Sequence, residues 1–291
     1  MKLSIAGLLI DVEVDASVVE ALPNLYPFVV SDSDEAPAIC QIQTGIYIQE
    51  ENTQPTLSSR SEEKSIHVWI QPDACKISLY CLLTGRLYWM QADRHWCTVQ
   101  TDWIPDSFEA YVCLNDILMI AFVYRSAFYQ AVTIHASAVA VQEQGCAFIG
   151  PSGIGKSTHS RLWLQHIAGA RLLNDDQPVL RLHPDGTVML YGSPWSGKTT
   201  CYHNEGVRLK ALFFMQQAME NRLTRLSGIE TFQQLMKATS LMGRDTITFQ
   251  AISQTQATIC GAVPAYRFQN QPTEEAASLS YQAFQENNFN N

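Results

Sequence analysis

Two stretches of the chain combine glycine, lysine and a hydroxyl at the spacing that holds phosphate. Residues 150–158 read GPSGIGKST and residues 192–200 read GSPWSGKTT. Both satisfy G-x-x-x-x-G-K-[ST]. In such a loop backbone N–H groups cradle phosphates, the lysine reaches the β- and γ-phosphates and the hydroxyl sits on Mg²⁺. The loop also needs a strand leading in and a helix leading out, because the helix N-terminus adds its dipole and its free N–H groups.

The first match has both neighbours. CAFIG (146–150) reads as a strand, and SRLWLQHIAGA (160–170) reads as a helix with Leu162, Trp163, His166 and Ile167 on one face and Gly169 as its stop. Gly150, Ser152, Gly153, Ile154, Gly155, Lys156, Ser157 and Thr158 are therefore the expected nucleotide-binding residues. Gly153 and Gly155 fall where the backbone must adopt conformations closed to a Cβ. The second match follows a strand, but Pro194 and Trp195 replace the flexible interior and TCYHNEGVRLKALFF carries no helical stripe after it. It is expected to be an ordinary turn or a substrate-contacting loop, with Lys198 as a cation and Trp195 beside it.

The next chemical group is the acid pair of LLNDD, Asp175 and Asp176. The strands at 146–150 and 171–173 are expected to be parallel neighbours joined by the intervening helix, so that both end on one sheet edge, where ligands of open α/β sheets sit. Asp175 and Asp176 would then emerge beside the first loop. Two adjacent acids can divide the work, one holding the metal or its water and one accepting a proton from an attacking hydroxyl.

The elements that must position these groups follow from the patterning. Residues 1–104 carry strand-like runs: KLSIAGLLIDVEV as a first strand, then AICQIQTGIYIQ, SIHVWIQP, CKISLYCLL and RLYWMQ. ENTQPTLSSRSEEK (51–64) reads as a loop. SFEAYVCLNDILMIAFVYRSAFYQ supports one or two helices, apolar enough to be internal. TIHASAVAVQEQGCAFIG gives two strands around Gln142–Gly145, and VLRLHPDGTVMLYG a hairpin around Pro184-Asp185-Gly186. VRLKALFFMQ is another strand, Ser227 and Glu230 form a capping box, Thr273 caps the last helix, and ENNFNN reads as a disordered tail. The expected organisation is a mostly antiparallel β domain (1–104), a connecting helical segment (105–130), a nucleotide-binding α/β domain with a mixed sheet (131–287) and a tail (288–291).

Bulk properties exclude some classes. A formal charge of −9 argues against a nucleic-acid partner. The nearest approach to a membrane span, ILMIAFVY (117–124), is far short of the roughly 18–20 apolar residues required, and Asp116 and Arg125 flank it. The N-terminus does not read as a signal peptide, so a cytoplasmic protein without a membrane partner is expected. The eight cysteines are scattered without a C-x-x-C and read as small buried thiols.

His135, in IHASAV, precedes the first loop by fifteen residues, and the acid pair follows it. This ordered set resembles the catalytic domain of bacterial HPr kinase/phosphorylase and, more distantly, the nucleotide domain of phosphoenolpyruvate carboxykinase. The resemblance covers about 133–216 well and 126–287 in outline, and does not extend to 1–104. It implies ATP and Mg²⁺ as cofactors and a hydroxyl-bearing acceptor. It also implies Asp175 as base toward that hydroxyl, Asp176 with Ser157 on the metal, and His135 beside the catalytic acid, where it could tune or orient Asp175. The chain departs from the family in carrying Ala-Ser after His135 in place of Gly-Val, and GSPWSGKTT where a substrate-contacting signature is expected. The reading is an ATP-dependent phosphotransferase acting on a serine-type hydroxyl of a small molecule, peptide or protein. A catalytically silent ATP-binding module, a simple nucleotide hydrolase and a homo-oligomer all stay open.

Overall fold

A computed structural model describes residues 1–31, 36–82, 84–197, 199–239 and 242–286. The chain divides into two compact units, Met1–Tyr129 with Leu241–Ala251, and Gln130–Ser240 with Ile252–Asn291. Both are mixed, combining helices with a sheet that has parallel and antiparallel pairs.

The first unit holds β1 (Lys2–Ile5), β2 (Leu8–Val12), α1 (Val18–Ala21), β3 (Val29–Val30), β4 (Cys40–Gln43), β5 (Leu57–Arg60), β6 (Lys64–Ile70), β7 (Ala74–Cys81), β8 (Arg86–Asp93), β9 (Thr98–Thr101) and α2 (Phe108–Ser126). Its nine strands run in the order β3-β1-β2-β4-β9-β8-β7-β6-β5, antiparallel except for the β2–β4 and β4–β9 pairs. The N-terminal run is a hairpin rather than the single strand expected, because Ala6 and Gly7 both take left-handed φ and reverse the chain. The polar stretch 51–64 is not all loop: its LSSR segment pairs with β6 as an edge strand whose polar side chains stay at the surface.

Helix α2 is one helix, capped by the Ser107 side chain, which accepts from the Ala110 N–H. With its continuation to Tyr129 it is long and apolar enough to cross a bilayer by length and composition, beyond what the short apolar run suggested. Cys113, Leu114, Ile117, Leu118, Ala121 and Phe122 are nonetheless buried, as befits a core helix.

The second unit contains β10 (Ala131–Thr133), β11 (Ala136–Val141), β12 (Gln144–Ile149), α3 (Lys156–His166), β13 (Ala170–Asn174), β14 (Val179–Leu182), β15 (Val188–Tyr191), β16 (Gly206–Gln217), β17 (Arg222–Arg225), α4 (Gly228–Ala238), β18 (Ala265–Asn270) and α6 (Glu274–Glu286). Between α4 and β18, α5 (Thr246–Ala262) gives its first residues to the first unit and the rest to the second. The strand order is β10-β14-β15-β16-β12-β11-β13, with β18 beside the far half of β16 and β17 beside β18.

One pairing differs from expectation. The strands before and after α3 are not neighbours, because β11 lies between them, antiparallel to both. β12 and β13 still point the same way, so their C-terminal ends share an edge. β16 is parallel to β12 and β18 to β16, so they end there too.

Helices α3 and α6 cover one face of this sheet over a core of Phe148, Trp163, Phe213, Phe268 and Phe284. Trp163 and Ile167 are buried and Leu162 packs against the same core, as the periodicity suggested, while the buried stripe runs further back through Ser160, His159 and Lys156, and His166 is exposed. The helix begins at Lys156, so the lysine itself sets the register of the stripe. Gly169, at φ +75°, follows the helix end. The capping box of Ser227 and Glu230 and the Thr273 cap on α6 are both formed. All eight cysteines are free thiols. The tail at 288–291 lies outside the described residues.

Candidate functional site

The loop between β12 and α3 occupies the shared edge of the sheet. Gly153 takes φ +79° and Gly155, the N-cap of α3, takes φ +108°. A Cβ at either would meet open space, so it is the backbone conformation that calls for glycine. Gly155 brings no capping side chain, which leaves the first-turn N–H groups of α3 available to an anion.

Lys156 is folded back across this loop. Its Nζ donates to Gly150 O at 2.9 Å and Pro151 O at 3.2 Å, and lies 2.9 Å from His135 Nε2. An ammonium can only donate, so this network assigns His135 Nε2 as an acceptor and puts the ring proton on Nδ1. Nδ1 then donates to Asp176 Oδ1, 2.8 Å away. A continuous chain runs from Lys156 through His135 to Asp176. Burial pulls the Lys156 pKa below the ordinary lysine value, while the Asp176 and Asp175 carboxylates push it back up.

His135 sits in the short break between β10 and β11, and its neighbours pin it from two sides. Its own N–H donates to Ala238 O at the end of α4 (2.7 Å). The Ile134 N–H donates to Pro178 O (3.1 Å) and the Ala136 N–H to Asp176 O (3.0 Å). The imidazole therefore belongs to Asp176, not to Asp175, where sequence reasoning had set it.

The acids are aimed by Asn174, which is wholly buried at the end of β13. Its Oδ1 accepts from the N–H groups of Asp176 (3.0 Å) and Gln177 (2.8 Å), an Asx turn that bends the chain just after the strand. Its Nδ2 reaches Ser193 Oγ (3.2 Å) and Trp195 O (3.1 Å). Asp175 is 8% exposed, and its buried Oδ1 has no hydrogen-bond partner among the described residues. A carboxylate oxygen so placed is costly unless a proton or a cation completes it.

The second glycine-lysine stretch is a support for this turn. Ser196 bridges Asp176, and Gly197 packs so closely that a Cβ there would stand 3.0 Å from Asp175 O. Trp195 is buried and holds Asn174 through its carbonyl. Lys198 lies outside the described residues. Residues 199–205 run irregularly into β16, and no helix follows this loop.

His135, Ser152, Gly153, Gly155, Lys156, Ser157, Thr158, Asp175 and Asp176 line one cavity of about 650 Å³. Gly150 and Ile154 line the adjoining one. Sequence reasoning missed three contributors. Asn174 and Ser193 scaffold the acids; the signal for Asn174 was its place directly before them, since asparagine favours such turns. Arg161, four residues along α3 from Ser157 and bonded to its carbonyl, also lines the cavity.

Among the described residues no cluster of three or more His, Cys, Asp or Glu side chains converges on a metal position. Asp176, Asp175 and Ser157 offer hard oxygen donors. Mg²⁺ takes such a set, because it needs only one or two carboxylates alongside phosphates and water.

No protein-family model and no curated protein matches the chain. Among solved structures it is similar to the HPr(Ser) kinase/phosphatase from Coxiella burnetii, at 12% sequence identity and a TM-score of 0.32, over 53% of this chain and 88% of that one. This is a distant structural likeness.

Proposed function

We propose that the second unit is an ATP- and Mg²⁺-dependent phosphotransferase acting on a hydroxyl group. The observation that carries this reading is the meeting, in one cavity, of the uncapped N-terminus of α3 with its glycine-lysine loop and a buried carboxylate oxygen without a partner among the described residues. The first-turn amides and Lys156 would take the phosphates, with Lys156 exchanging the carbonyls of Gly150 and Pro151 for phosphate oxygens. Ser157 and Asp176 would hold Mg²⁺, which when bound neutralises charge on the transferring phosphates.

Asp175 is the proton acceptor for the attacking hydroxyl, because its Oδ1 is a buried carboxylate oxygen with no hydrogen-bond partner among the described residues. His135 orients Asp176 and tethers Lys156, so the cation and the metal-holding acid move as one. Most of the acceleration comes from positioning and electrostatics, as phosphoryl transfer requires.

Calorimetric titration of Mg-ATP into wild type, Lys156→Ala, Lys198→Ala and Asp175→Asn tests this. Lys156→Ala is expected to lose binding, and Lys198→Ala to keep it. Asp175→Asn is expected to keep binding while phosphoryl transfer falls by about 10²–10⁴-fold. A folded wild type that does not bind Mg-ATP would refute the reading. Binding that persists in Lys156→Ala and disappears in Lys198→Ala would move the nucleotide to the other loop.

A further inference from the structure

Two more cavities flank the loop, one at each end, and the direction of the bound phosphates tells them apart. Amides at the start of α3 serve the inner phosphates, whereas the lysine serves the outer ones. The Lys156 ammonium sits against Gly150, Pro151 and His135, which fixes that side as the outer end. The cavity that meets the loop at Gly155, Thr158 and His159 therefore lies on the nucleoside side. The other, of about 510 Å³, meets it at Gly150 and Pro151 and shares His135 with the phosphate cavity. A hydroxyl at its His135 end would border the phosphate cavity that Asp175 lines.

The wall of that second cavity is chemically specific. Phe214, Met215 and Leu226 are buried side chains that give it an apolar floor. Lys237, exposed on the last turn of α4, and Arg267, on β18, stand at its edge, and no carboxylate lines it among the described residues. Arg267 already shares Glu230 at 3.3 Å, so Lys237 is the principal cation offered to a ligand. An apolar body with a few placed polar groups is the usual composition of a small-molecule site of this size.

We infer that this cavity takes the phosphate acceptor, and that the acceptor is a small hydroxy acid; the inference rests on the nucleotide reading given above. The hydroxyl lies at the His135 end, the hydrocarbon body on Phe214 and Met215, and the carboxylate at Lys237. In the reaction the hydroxyl oxygen forms a bond to the γ-phosphorus as the bond to the β,γ-bridging oxygen breaks. ADP leaves with that electron pair, and the hydroxyl proton passes to Asp175.

The probes are 3-hydroxyoctanoate, its methyl ester and 3-phenyllactate, titrated calorimetrically into wild type, Lys237→Glu and Gln234→Trp, with Mg-ATP titrated in parallel. Lys237 is exposed and Gln234 lies at the cavity edge on α4, so both variants are expected to fold, which circular dichroism checks. The acids are expected to bind wild type, to weaken by about tenfold or more with Lys237→Glu or with the ester, and to be lost with Gln234→Trp. Mg-ATP binding should be unchanged in both variants.

Three results would overturn the inference: wild type that takes up neither acid at millimolar concentration, acid binding that both variants leave unchanged, or Gln234→Trp removing Mg-ATP instead of the acid. Acid binding with the stated dependence in a protein that does not bind Mg-ATP would defeat the nucleotide reading and leave the acid site standing.

Discussion

Lowering the pH from 7 to 5 should loosen the packing of α6 on α3, because His159 is buried there as a neutral imidazole. His159 is 1% exposed, edge-on to Phe148 and Phe268 at centroid distances of 4.5 and 4.9 Å. Its Nε2 lies 3.0 Å from Ser280 Oγ, which also accepts from Trp163 Nε1 at 2.9 Å. The Ser280 hydroxyl can give its single proton to the Ala276 or Ala277 carbonyl, so His159 Nε2–H is the donor and Nδ1 carries the bare lone pair. Nδ1 has no partner among the described residues. Protonating it would bury a charge between two aromatic rings with no acceptor for the new N–H. This burial pushes the imidazole pKa down to about 3.

The sign and size of the effect follow by linkage. An undocked His159 titrates near 6.5 and the docked one near 3, so between those values the open state holds a proton that the closed state does not. The contribution is complete above about pH 6.5 and fades as pH falls toward the docked value. At pH 5 the gap is about 1.5 units, or about 2 kcal/mol, a loss of about thirty-fold in the closing equilibrium.

The assay is amide hydrogen exchange in α6, read as protection factors at the two pH values, for wild type and His159→Gln. Glutamine keeps a donor for Ser280 and does not titrate, so its protection should be nearly flat. Equal losses in the two proteins, or a His159 resonance titrating near 6.5 by NMR, would refute the reasoning. Because α3 begins at the phosphate loop, Mg-ATP affinity of wild type should fall over the same pH interval more than that of the variant.

Other perturbations address the loop and the acids directly. Gly155→Ala places a Cβ at φ +108°, a strain of about 1–3 kcal/mol; calorimetry should show weakened Mg-ATP binding with the fold retained. Asn174→Ala strands the N–H groups of Asp176 and Gln177 in a partly buried turn, and urea unfolding should show a loss of about 1 kcal/mol or more. Its turnover should fall further than its nucleotide affinity, since the acids lose their aim. His135→Ala cuts the link between Lys156 and Asp176, and kcat should drop by about tenfold or more while the Kd for Mg-ATP changes little.

The parts of the site that were legible in the sequence are those governed by short-range rules. GPSGIGKST constrains its own backbone through Gly153 and Gly155, and the capping box at Ser227 and the hairpin at Asp185 are likewise local. What the sequence could not yield is pairing between distant segments. Alternation identifies β11, β12 and β13 as strands but contains nothing that inserts β11 between the other two. The acids still reached the loop because antiparallel insertion of one strand preserves the direction of its neighbours.

The same limit explains the histidine. Which acid it meets depends on backbone bonds from Ala238 and Pro178 to the chain around it, drawn from α4 and from the turn after β13. The polar stretch at 57–60 reads as loop because its partner, β6, supplies the order that its own composition does not.

The two glycine-lysine loops illustrate how a motif acquires meaning from its surroundings. In the first, a strand end and a helix start lie on either side, so the turn presents donors to a cavity. In the second, the same letters are followed by irregular chain, and its carbonyl at Trp195 and its close contact at Gly197 are spent on holding Asn174 and Asp175. In this second loop the Gly192 N–H is given to Glu205 O and the Trp195 N–H to Ser193 Oγ, and no helix start follows to add further donors for a phosphate. Its contribution to the proposed chemistry is therefore to fix the acids against the first loop, and substitutions in 192–197 should act through Asp175 and Asp176, lowering turnover before they touch nucleotide affinity.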